Sequence, residues 1–396
     1  MNVVRDRSEL SDFLSKAAET SPDYPVVISK FIEGAFEVDV DAVASEGKLV
    51  TCAILESPRP LPLPPLAYLT YHHLPSPVLL PLISPTLHHI ATPPPPTFPL
   101  WQVTYAISEH LERGGVHSGD ATLVLPSFRL SEHAKQKMKD DCARIAGELN
   151  VCGPFNTQFL VSPSASGAPT GEWIGVIETN LRASRSVPFV SKVLGVDFIT
   201  RATQSTLGVD SGVMDDKCEA TPKVTGVKSP QFSFARLLGA DPVLGVEMHS
   251  TGEVACFGDT LEEAYLKSLI STRDMRLPAK GSSILVCARK DAHGSLGSAI
   301  DGARMLSDQG FKLVAADDET SAVLDSKGIA SPVTNAHDSV TKGCVSLVLD
   351  LSNNHKDFYN TRRSTVDFSI PLITNHEQTL LFAQAIGKEL ELKVSS

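Results

Sequence analysis

Four polar side chains in the stretch 175–189 have the types and spacing that phosphate chemistry needs. Glu178 and Asn180 lie two residues apart after an apolar run, so an extended backbone would place both on one face. A carboxylate and an amide offer oxygen ligands that can hold Mg²⁺. The guanidiniums of Arg182 and Arg185 follow and can bind phosphate oxygens. Taken alone, the same pattern is also typical of a solvated sheet edge.

A neighbouring strand brings a further polar side chain to this place. The apolar run 155–161 contains Gln158, and a loop rich in Ser, Pro and Gly at 162–172 connects it to the strand of Glu178. A hairpin of this kind pairs its strands antiparallel. We therefore expect Gln158 to lie next to Glu178.

Alternation in the segment 35–42 predicts another strand, whose apolar positions Phe36, Val38 and Val40 would face a core. The opposite face would then present a row of carboxylates. That row either meets water or lines a site, and the sequence leaves both open. Its members are Glu37, Asp39 and Asp41.

Helices and loops elsewhere in the first 278 residues follow familiar signals. The pattern over 8–18 is helical, 25–31 reads as a strand, and 114–121 is a polar loop rich in glycine. Ser131 is expected to cap a helix. The apolar face predicted for that helix consists of Ala134, Met138, Cys142, Ile145, Ala146 and Leu149.

The segment 55–106 differs in composition from the rest of the chain. It holds fourteen of the 27 prolines, and Glu56 and Arg59 are its charged residues. Proline at this density prevents regular helix and central strand, so we predict an irregular, disordered insertion. A proline-rich ligand for a partner domain is the alternative.

Beyond a linker at 278–282, strand and helix alternate, which predicts a small doubly wound α/β domain. A helix from Leu296 to Gly310 joins the first two strands. The predicted strands are 284–288, 311–316, 345–349 and 370–373.

Composition excludes several broad functions. The 396 residues have a formal net charge of −11, which argues against general nucleic-acid binding. The seven cysteines show no CxxC spacing, which indicates reduced thiols rather than disulfides or a zinc site. An apolar signal segment and a proline-free apolar run of membrane length are both missing. We expect a cytoplasmic protein, with the mitochondrial matrix as the alternative, that binds neither membrane nor nucleic acid.

Seven segments resemble sequences from one known protein family: 26–34, 37–42, 107–110, 115–121, 184–192, 230–236 and 245–253. Jointly they resemble the second ATP-grasp module of the family of carbamoyl-phosphate synthase large subunits. Their amino-acid sequences are most similar to those of the fungal arginine-specific large chain. The tail at 361–372 resembles the methylglyoxal-synthase-like domain of the same family.

The resemblance implies a fold that is α/β and α+β, with a partial ATP-grasp domain followed by a methylglyoxal-synthase-like doubly wound α/β domain. The family runs directly from the segment matching 52–54 into the segment matching 108–110, so the proline-rich segment would be a retained intron or a lineage-specific loop. The implied domains are an N-terminally truncated ATP-grasp part at 1–54, the insertion at 55–106, continued ATP-grasp with its C-terminal extension at 107–278, and the methylglyoxal-synthase-like domain at 279–396.

The resemblance also implies which residues contact the nucleotide. Lys30 and Ile32 would line the adenine pocket, and Glu37 would accept hydrogen bonds from the ribose hydroxyls. Gln158 and Glu178 would reach the phosphates through metal ions. The loop that would contact the nucleotide consists of Gly115, Val116, His117 and Ser118; His117 is expected to make contacts rather than to act as acid or base.

The metal and the transferred group have implied partners of their own. Gln158, Glu178 and Asn180 would hold Mg²⁺ or Mn²⁺ ions that bridge the phosphates of ATP. Arg182 and Arg185 would act on carbamate and the transferred phosphoryl group. Transfer of this kind depends mainly on positioning and charge neutralisation.

The family's module phosphorylates carbamate with ATP, giving carbamoyl phosphate for arginine biosynthesis, and the full enzyme works with a glutamine amidotransferase small subunit. We therefore expect an ATP- and Mg²⁺-dependent ligase. The family's large subunit is much longer, and part of its module, including a glycine-rich loop, precedes the point where this chain begins. A catalytically incomplete ATP-grasp protein that serves at most as a binding module is therefore the second hypothesis. A dehydrogenase is disfavoured, because GxGxxG is missing after the first C-terminal strand.

The C-terminal part departs from its regulated relatives at one turn. Where they have a phosphate-binding Thr-x-Gly-Thr turn, this sequence reads Asp-Asp-Glu-Thr at 317–320. The acidic side chains would repel an anion, and the missing glycine would prevent close backbone approach. The sequence thus predicts weak or no binding of phosphorylated nucleotide effectors.

Overall fold

The computed structural model describes residues 4, 7–20, 26, 28, 32, 34–46, 48–49, 104–162, 172–209, 222–273, 275–290, 296–352 and 357–388. Lys30, most of the predicted strand at 25–31 and most of the proline-rich segment lie outside the described residues. Among the helices described, none is long and apolar enough to cross a membrane.

The first part of the chain forms a large antiparallel sheet with helices. The elements are α1 Arg7–Thr20, β1 Phe36–Ser45, β2 Lys48–Leu49, β3 Thr104–Arg113, β4 Leu123–Leu125, α2 Glu132–Glu148, β5 Gly153–Ser162, β6 Trp173–Asn180, α3 Val187–Leu194, α4 Phe198–Thr206, β7 Thr225–Gln231, β8 Gly252–Gly258 and α5 Leu261–Ser271. A 3-10 turn spans Phe234–Arg236. The sheet has the strand order β6-β5-β1-β3-β4-β7-β8, with β2 paired to β1.

Strand β1 lies between β3 and β5 and is antiparallel to both. Its apolar positions Phe36, Val38 and Val40 are buried in one core cluster, as predicted. Asp39 and Asp41 are also buried, at 4% and 1% exposure, and Glu37 is half-buried, so the carboxylate row lies mainly inside the protein. Strand β3 begins at Thr104, two residues before the predicted end of the irregular segment at 106, because its first residues pair with the end of β1.

Helix α2 covers one face of this sheet. The side chain of Ser131 accepts a hydrogen bond from the backbone N–H of Ala134, which confirms the predicted cap. Leu149 was expected in the buried face, and that prediction is wrong. The helix ends at Glu148, and Leu149 lies beyond the last turn with 55% of its surface exposed. The buried residues of the helix are Ala134, Met138, Cys142 and Ala146.

The second part of the chain is a four-stranded parallel sheet with the order β10-β9-β11-β12. Strands alternate with helices, which agrees with the pattern read from the sequence. Helix α6 ends before Gly310, whose φ of +92° is a backbone conformation that suits glycine. The elements are β9 Ser283–Cys287, α6 Gly297–Asp308, β10 Lys312–Ala315, α7 Asp318–Asp325, α8 Ala336–Thr341, β11 Leu347–Asp350, α9 Tyr359–Asp367, β12 Leu372–Ile373 and α10 His376–Gly387.

The two sheets share one hydrophobic core. Its cluster of buried side chains includes Val124 and Val227 from the antiparallel sheet, Tyr265 from α5, and Ile284 and Phe382 from the second part. Continuous apolar contact of this kind buries surface from both parts at once. The C-terminal part therefore stabilises the sheet that bears the candidate site.

Candidate functional site

Three predicted ligand side chains lie together on strands β5 and β6. In the register of the two strands Gln158 lies opposite Glu178, which confirms the predicted neighbours, and Asn156 lies opposite Asn180. The amide nitrogen of Asn180 donates to Glu178 Oε1 at 2.9 Å. Glu178 is exposed, whereas Gln158 and Asn180 are half-buried. One carboxylate with two amides therefore faces a common space at this edge.

This donor set fits a hard cation such as Mg²⁺, because each of its three side chains has an oxygen to offer. Binding through both Glu178 and Asn180 requires the Asn180 amide to turn its oxygen toward the ion, which a rotation about χ2 provides. In the described part of the chain no group of three or more His, Cys, Asp or Glu side chains could hold a metal. That finding leaves the amide-containing set unaffected, since it contains one carboxylate.

The predicted nucleotide loop is attached to strand β1 through Glu37. The backbone N–H of Gly115 donates to Glu37 Oε1 at 3.0 Å. Gly115 has a φ of +105°, a conformation that L side chains rarely adopt. Burial raises the pKa of Glu37, whereas His110 and the Gly115 N–H act in the opposite direction. One oxygen of Glu37 therefore orders the loop.

Sequence reasoning missed the most buried part of the site, His110 on β3. Its Nε2 lies 3.2 Å from Asp39 Oδ2, and its Nδ1 lies 3.7 Å from Glu37 Oε2. Burial lowers the pKa of His110, but Asp39 and Glu37 outweigh it, so the pKa lies above its ordinary value. Below that raised pKa, a charged imidazole between two carboxylates holds β1 and β3 in place. The clue was available in the carboxylate row, which needed a cation.

The loop itself is held by backbone hydrogen bonds. The N–H of His117 donates to Gly245 O at 2.8 Å, and His117 Nδ1 accepts from the N–H of Gly119 at 3.0 Å. An imidazole nitrogen used in this way orders the loop, and the contact of His117 with a nucleotide stays a prediction. Buried Asp120 accepts from the N–H groups of His249 and Ser250, each at 2.8 Å.

The remaining predicted loop residues are half-buried. Val116 packs against a core cluster, and the carbonyl of Ser118 accepts from the buried Lys228 Nζ at 3.5 Å. Lys228 Nζ also donates to Ala121 O at 2.8 Å. Ile32 is half-buried at its position before β1.

Both predicted arginines are exposed, and one of them is connected to the loop. Arg185 Nη1 lies 3.4 Å from Met248 Sδ. Met248 in turn packs so closely on Gly119 that a Cβ at residue 119 would lie 2.8 Å from the same sulfur. Arg182 Nη1 donates to Ala183 O at 3.2 Å. Arg185 and the loop therefore share a neighbour, which places the guanidinium on the loop side of the sheet.

Comparison with known proteins finds a matching family model and several similar proteins. The sequence model described as "Carbamoyl-phosphate synthase L chain, ATP binding domain" matches residues 106–211. The chain is 37% identical to the mitochondrial arginine-specific carbamoyl phosphate synthase large chain of Neurospora crassa, over 98% of this chain and 30% of that protein. It is 36% identical to the human mitochondrial carbamoyl-phosphate synthase (ammonia), over 100% of this chain and 23% of that protein.

The chain thus spans between about a quarter and a third of the length of these relatives. Among solved structures, the biotin carboxylase domain of the Hydrogenobacter thermophilus 2-oxoglutarate carboxylase, in complex with MgADP and bicarbonate, is 10% identical with a TM-score of 0.42. That match covers 68% of this chain and 53% of the other. A TM-score this low supports no conclusion about the fold, so the assignment depends on the sequence relatives.

Proposed function

This chain belongs to the family of carbamoyl-phosphate synthase large chains, and on that premise we propose that it binds ATP with Mg²⁺ and phosphorylates carbamate to carbamoyl phosphate. The observation that supports this most directly is the pairing of Gln158 with Glu178 beside Asn180. Side chains of these types at one sheet edge suit a cation that bridges nucleotide phosphates.

The chemistry would be an in-line transfer. A carbamate oxygen attacks the γ-phosphorus of ATP, the bond from that phosphorus to the β–γ bridging oxygen breaks, and carbamoyl phosphate and ADP result. A bound Mg²⁺ would neutralise phosphate charge. The guanidiniums of Arg182 and Arg185 would bind the transferred group, and Glu37 would hold the loop that meets the nucleotide. Arginine biosynthesis and the glutamine amidotransferase small subunit are part of this proposal, by analogy with the arginine-specific relatives.

The first prediction concerns the proposed metal ligand. Replacing Glu178 by alanine is expected to remove the Mg²⁺-dependent part of ATP binding, because the only carboxylate of the ligand set is lost. Titration calorimetry with ATP, in the presence of Mg²⁺ and of EDTA, measures the difference. Glu132→Ala is the matched control, since Glu132 is an exposed glutamate on α2 in a surface ion pair with Lys135. Equal Mg²⁺ dependence in wild type and Glu178→Ala would contradict the assignment.

A second readout separates the enzyme from a binding module. Because every step of the transfer is reversible, an active chain forms ATP from MgADP and carbamoyl phosphate, and luciferase detects that ATP. ATP formation that Arg185→Ala abolishes supports the proposed reaction. Binding of MgATP without any ATP formation would instead favour the catalytically incomplete binding module.

The C-terminal parallel sheet has its own proposed character. We propose that 279–396 is methylglyoxal-synthase-like and binds no anionic effector. Asp317 accepts from the N–H of Thr320 at 2.9 Å at the start of α7, and Arg289 Nη2 lies 2.8 Å from its other oxygen. The carboxylate of Asp317 therefore already occupies the helix N-terminus that an anion would need.

The second prediction follows from this occupancy. Titration of the full chain with uridine monophosphate is expected to show no saturable binding at micromolar concentration, because Asp317 and its neighbour Glu319 repel a phosphate. Calorimetry with the nucleotide in excess checks this. Micromolar binding that Arg289→Ala weakens would show that the C-terminal part does accept such effectors.

A further inference from the structure

Strand β1 contains a buried carboxylate, Asp41, whose partners are serines far away in the sequence. Asp41 is 1% exposed. Its Oδ1 accepts from the amide of Asn156 at 3.0 Å and from the hydroxyl of Ser184. Its Oδ2 accepts from the hydroxyl of Ser186 at 2.9 Å. One carboxylate thus binds two hydroxyls from the same tripeptide.

The two serines flank Arg185 directly. Ser186 occupies the N-cap position of α3, yet its hydroxyl makes no capping hydrogen bond and contacts Asp41 instead. Serine at an N-cap normally accepts from a backbone N–H of the first turn, and that contact contributes about 1 kcal/mol to stability. The structure therefore gives up an ordinary cap in favour of a contact with β1.

The charge of Asp41 determines which way the hydroxyls point. Burial and the nearby carboxylate of Asp39 raise the pKa of Asp41 to about 6, with the hydroxyls and Asn156 opposing that rise. At neutral pH the group is an ionised carboxylate, which only accepts hydrogen bonds. Ser184 and Ser186 must then donate to it, so the backbone on each side of Arg185 is fixed.

Arg185 itself projects away from this buried cluster. It is exposed, and its guanidinium lies against Met248, which packs on Gly119 of the nucleotide loop. A guanidinium on a long side chain loses much conformational entropy when it binds phosphate. Fixing the backbone on both sides reduces the part of that cost that arises from the main chain.

We propose that Asp41 is a positioning residue for phosphate binding: by holding Ser184 and Ser186 it fixes the backbone of Arg185 so that the guanidinium faces the phosphates of a nucleotide bound at the 114–121 loop. The inference rests on the proposed function, since the phosphates are those of the proposed substrate. Asp41 itself would touch no substrate atom.

The test compares two ligands on the full chain. The double variant Ser184→Ala/Ser186→Ala removes both hydroxyls and leaves Arg185 in place. Calorimetry with MgATP and with adenosine is expected to give about tenfold weaker MgATP binding and unchanged adenosine binding, because one phosphate contact is loosened. The control is Ser205→Ala, which removes a buried hydroxyl that donates to Ala44 O on the same strand. Asp41→Asn keeps one accepting oxygen, and its affinity for MgATP is expected to lie between those of wild type and the double variant.

A second measurement keeps the inference testable without nucleotide binding. Trypsin cleavage after Arg185, followed by mass spectrometry, is expected to be faster in the double variant than in wild type or Ser205→Ala. Parallel weakening of MgATP and adenosine, or unchanged MgATP binding, would overturn the positioning role. If wild type binds no MgATP, the proposed function fails. In that case, equal rates of cleavage after Arg185 in wild type and in the double variant would also overturn the role of the Asp41–serine hydrogen bonds in fixing the backbone.

Discussion

Replacing Arg362 by alanine is expected to lower the free energy of unfolding by about 3–5 kcal/mol, the largest effect of any single substitution predicted for this chain. The side chain of Arg362 is fully buried. It donates to both oxygens of Asp241, at 2.8 and 2.7 Å, and to Asp350 Oδ2 at 2.6 Å. Its loss would leave Asp350, which is 2% exposed, as a buried charge without its cation.

The position of Arg362 in the fold explains why the loss of stability should extend from the C-terminal part to the first part of the chain. It lies on α9 of the C-terminal part, whereas Asp241 lies in the loop after the 3-10 turn of the first part. The adjacent Arg363 donates to three carbonyls of that turn and loop, from Phe234, Leu237 and Ala240. The two arginines thus hold the loop that continues to Met248 and the nucleotide site.

Urea denaturation followed by circular dichroism measures the change in unfolding free energy. Arg304→Ala is the matched control, because Arg304 is exposed on α6 and donates to Lys327 O; its replacement should change stability by about 0.5 kcal/mol or less. A triple variant, Arg362→Met with Asp241→Asn and Asp350→Asn, should recover most of the loss, since no charge then remains unpaired. A loss below about 1 kcal/mol in Arg362→Ala would refute the buried ion-pair account.

Replacing His110 by asparagine is expected to have the second large effect on the free energy of unfolding, and this effect should depend on pH. At pH 6 we expect a loss of about 2–3 kcal/mol, because Asp39 and Glu37 lose the buried cation between them. At high pH the loss should be smaller. His133→Asn, on the exposed face of α2, is the control and should change little at any pH.

The direction of the pH dependence follows from the pKa of His110. The ordinary value is 6.5, and the folded protein raises it through Asp39 and Glu37, with a smaller contribution from Glu112. A raised pKa means that the stabilising contribution is fully present below the unfolded value and is lost as pH rises through the folded value. Asp41, with a pKa of about 6, also titrates around that pH, in wild type and in the variant alike.

The measurement is the difference in unfolding free energy between wild type and His110→Asn from pH 6 to pH 9. Subtracting the variant removes the contributions of titrating groups that do not interact with His110, such as buried Lys228, whose pKa is lowered by burial. The difference should shrink as pH rises. A difference that stays constant across this range would show that the imidazole acts by packing rather than by charge.

Much of the local structure could be predicted from the residues alone. The alternation of Phe36, Val38 and Val40, the cap at Ser131 and the helix stop at Gly310 depend on neighbours within a few positions, and the structure confirms each. The hairpin that pairs Gln158 with Glu178 belongs to the same class, because a short connection between two strands fixes their antiparallel pairing. The predicted burial of Leu149 was wrong because apolar periodicity does not show where the helix ends.

The sequence by itself therefore determined the elements, the family and the list of polar side chains that could meet a nucleotide. The tertiary structure decided what those side chains do for one another. The carboxylate row could have faced water, but His110, 71 residues from Asp39, lies against it, and Ser184, 143 residues from Asp41, donates to it. Contacts across such separations depend on the packing of whole sheets, and a pattern in one segment does not report a partner in another. For the same reason Arg362 reads in the sequence as one of two adjacent arginines on a helix, and the fold alone makes it the buried partner of Asp241.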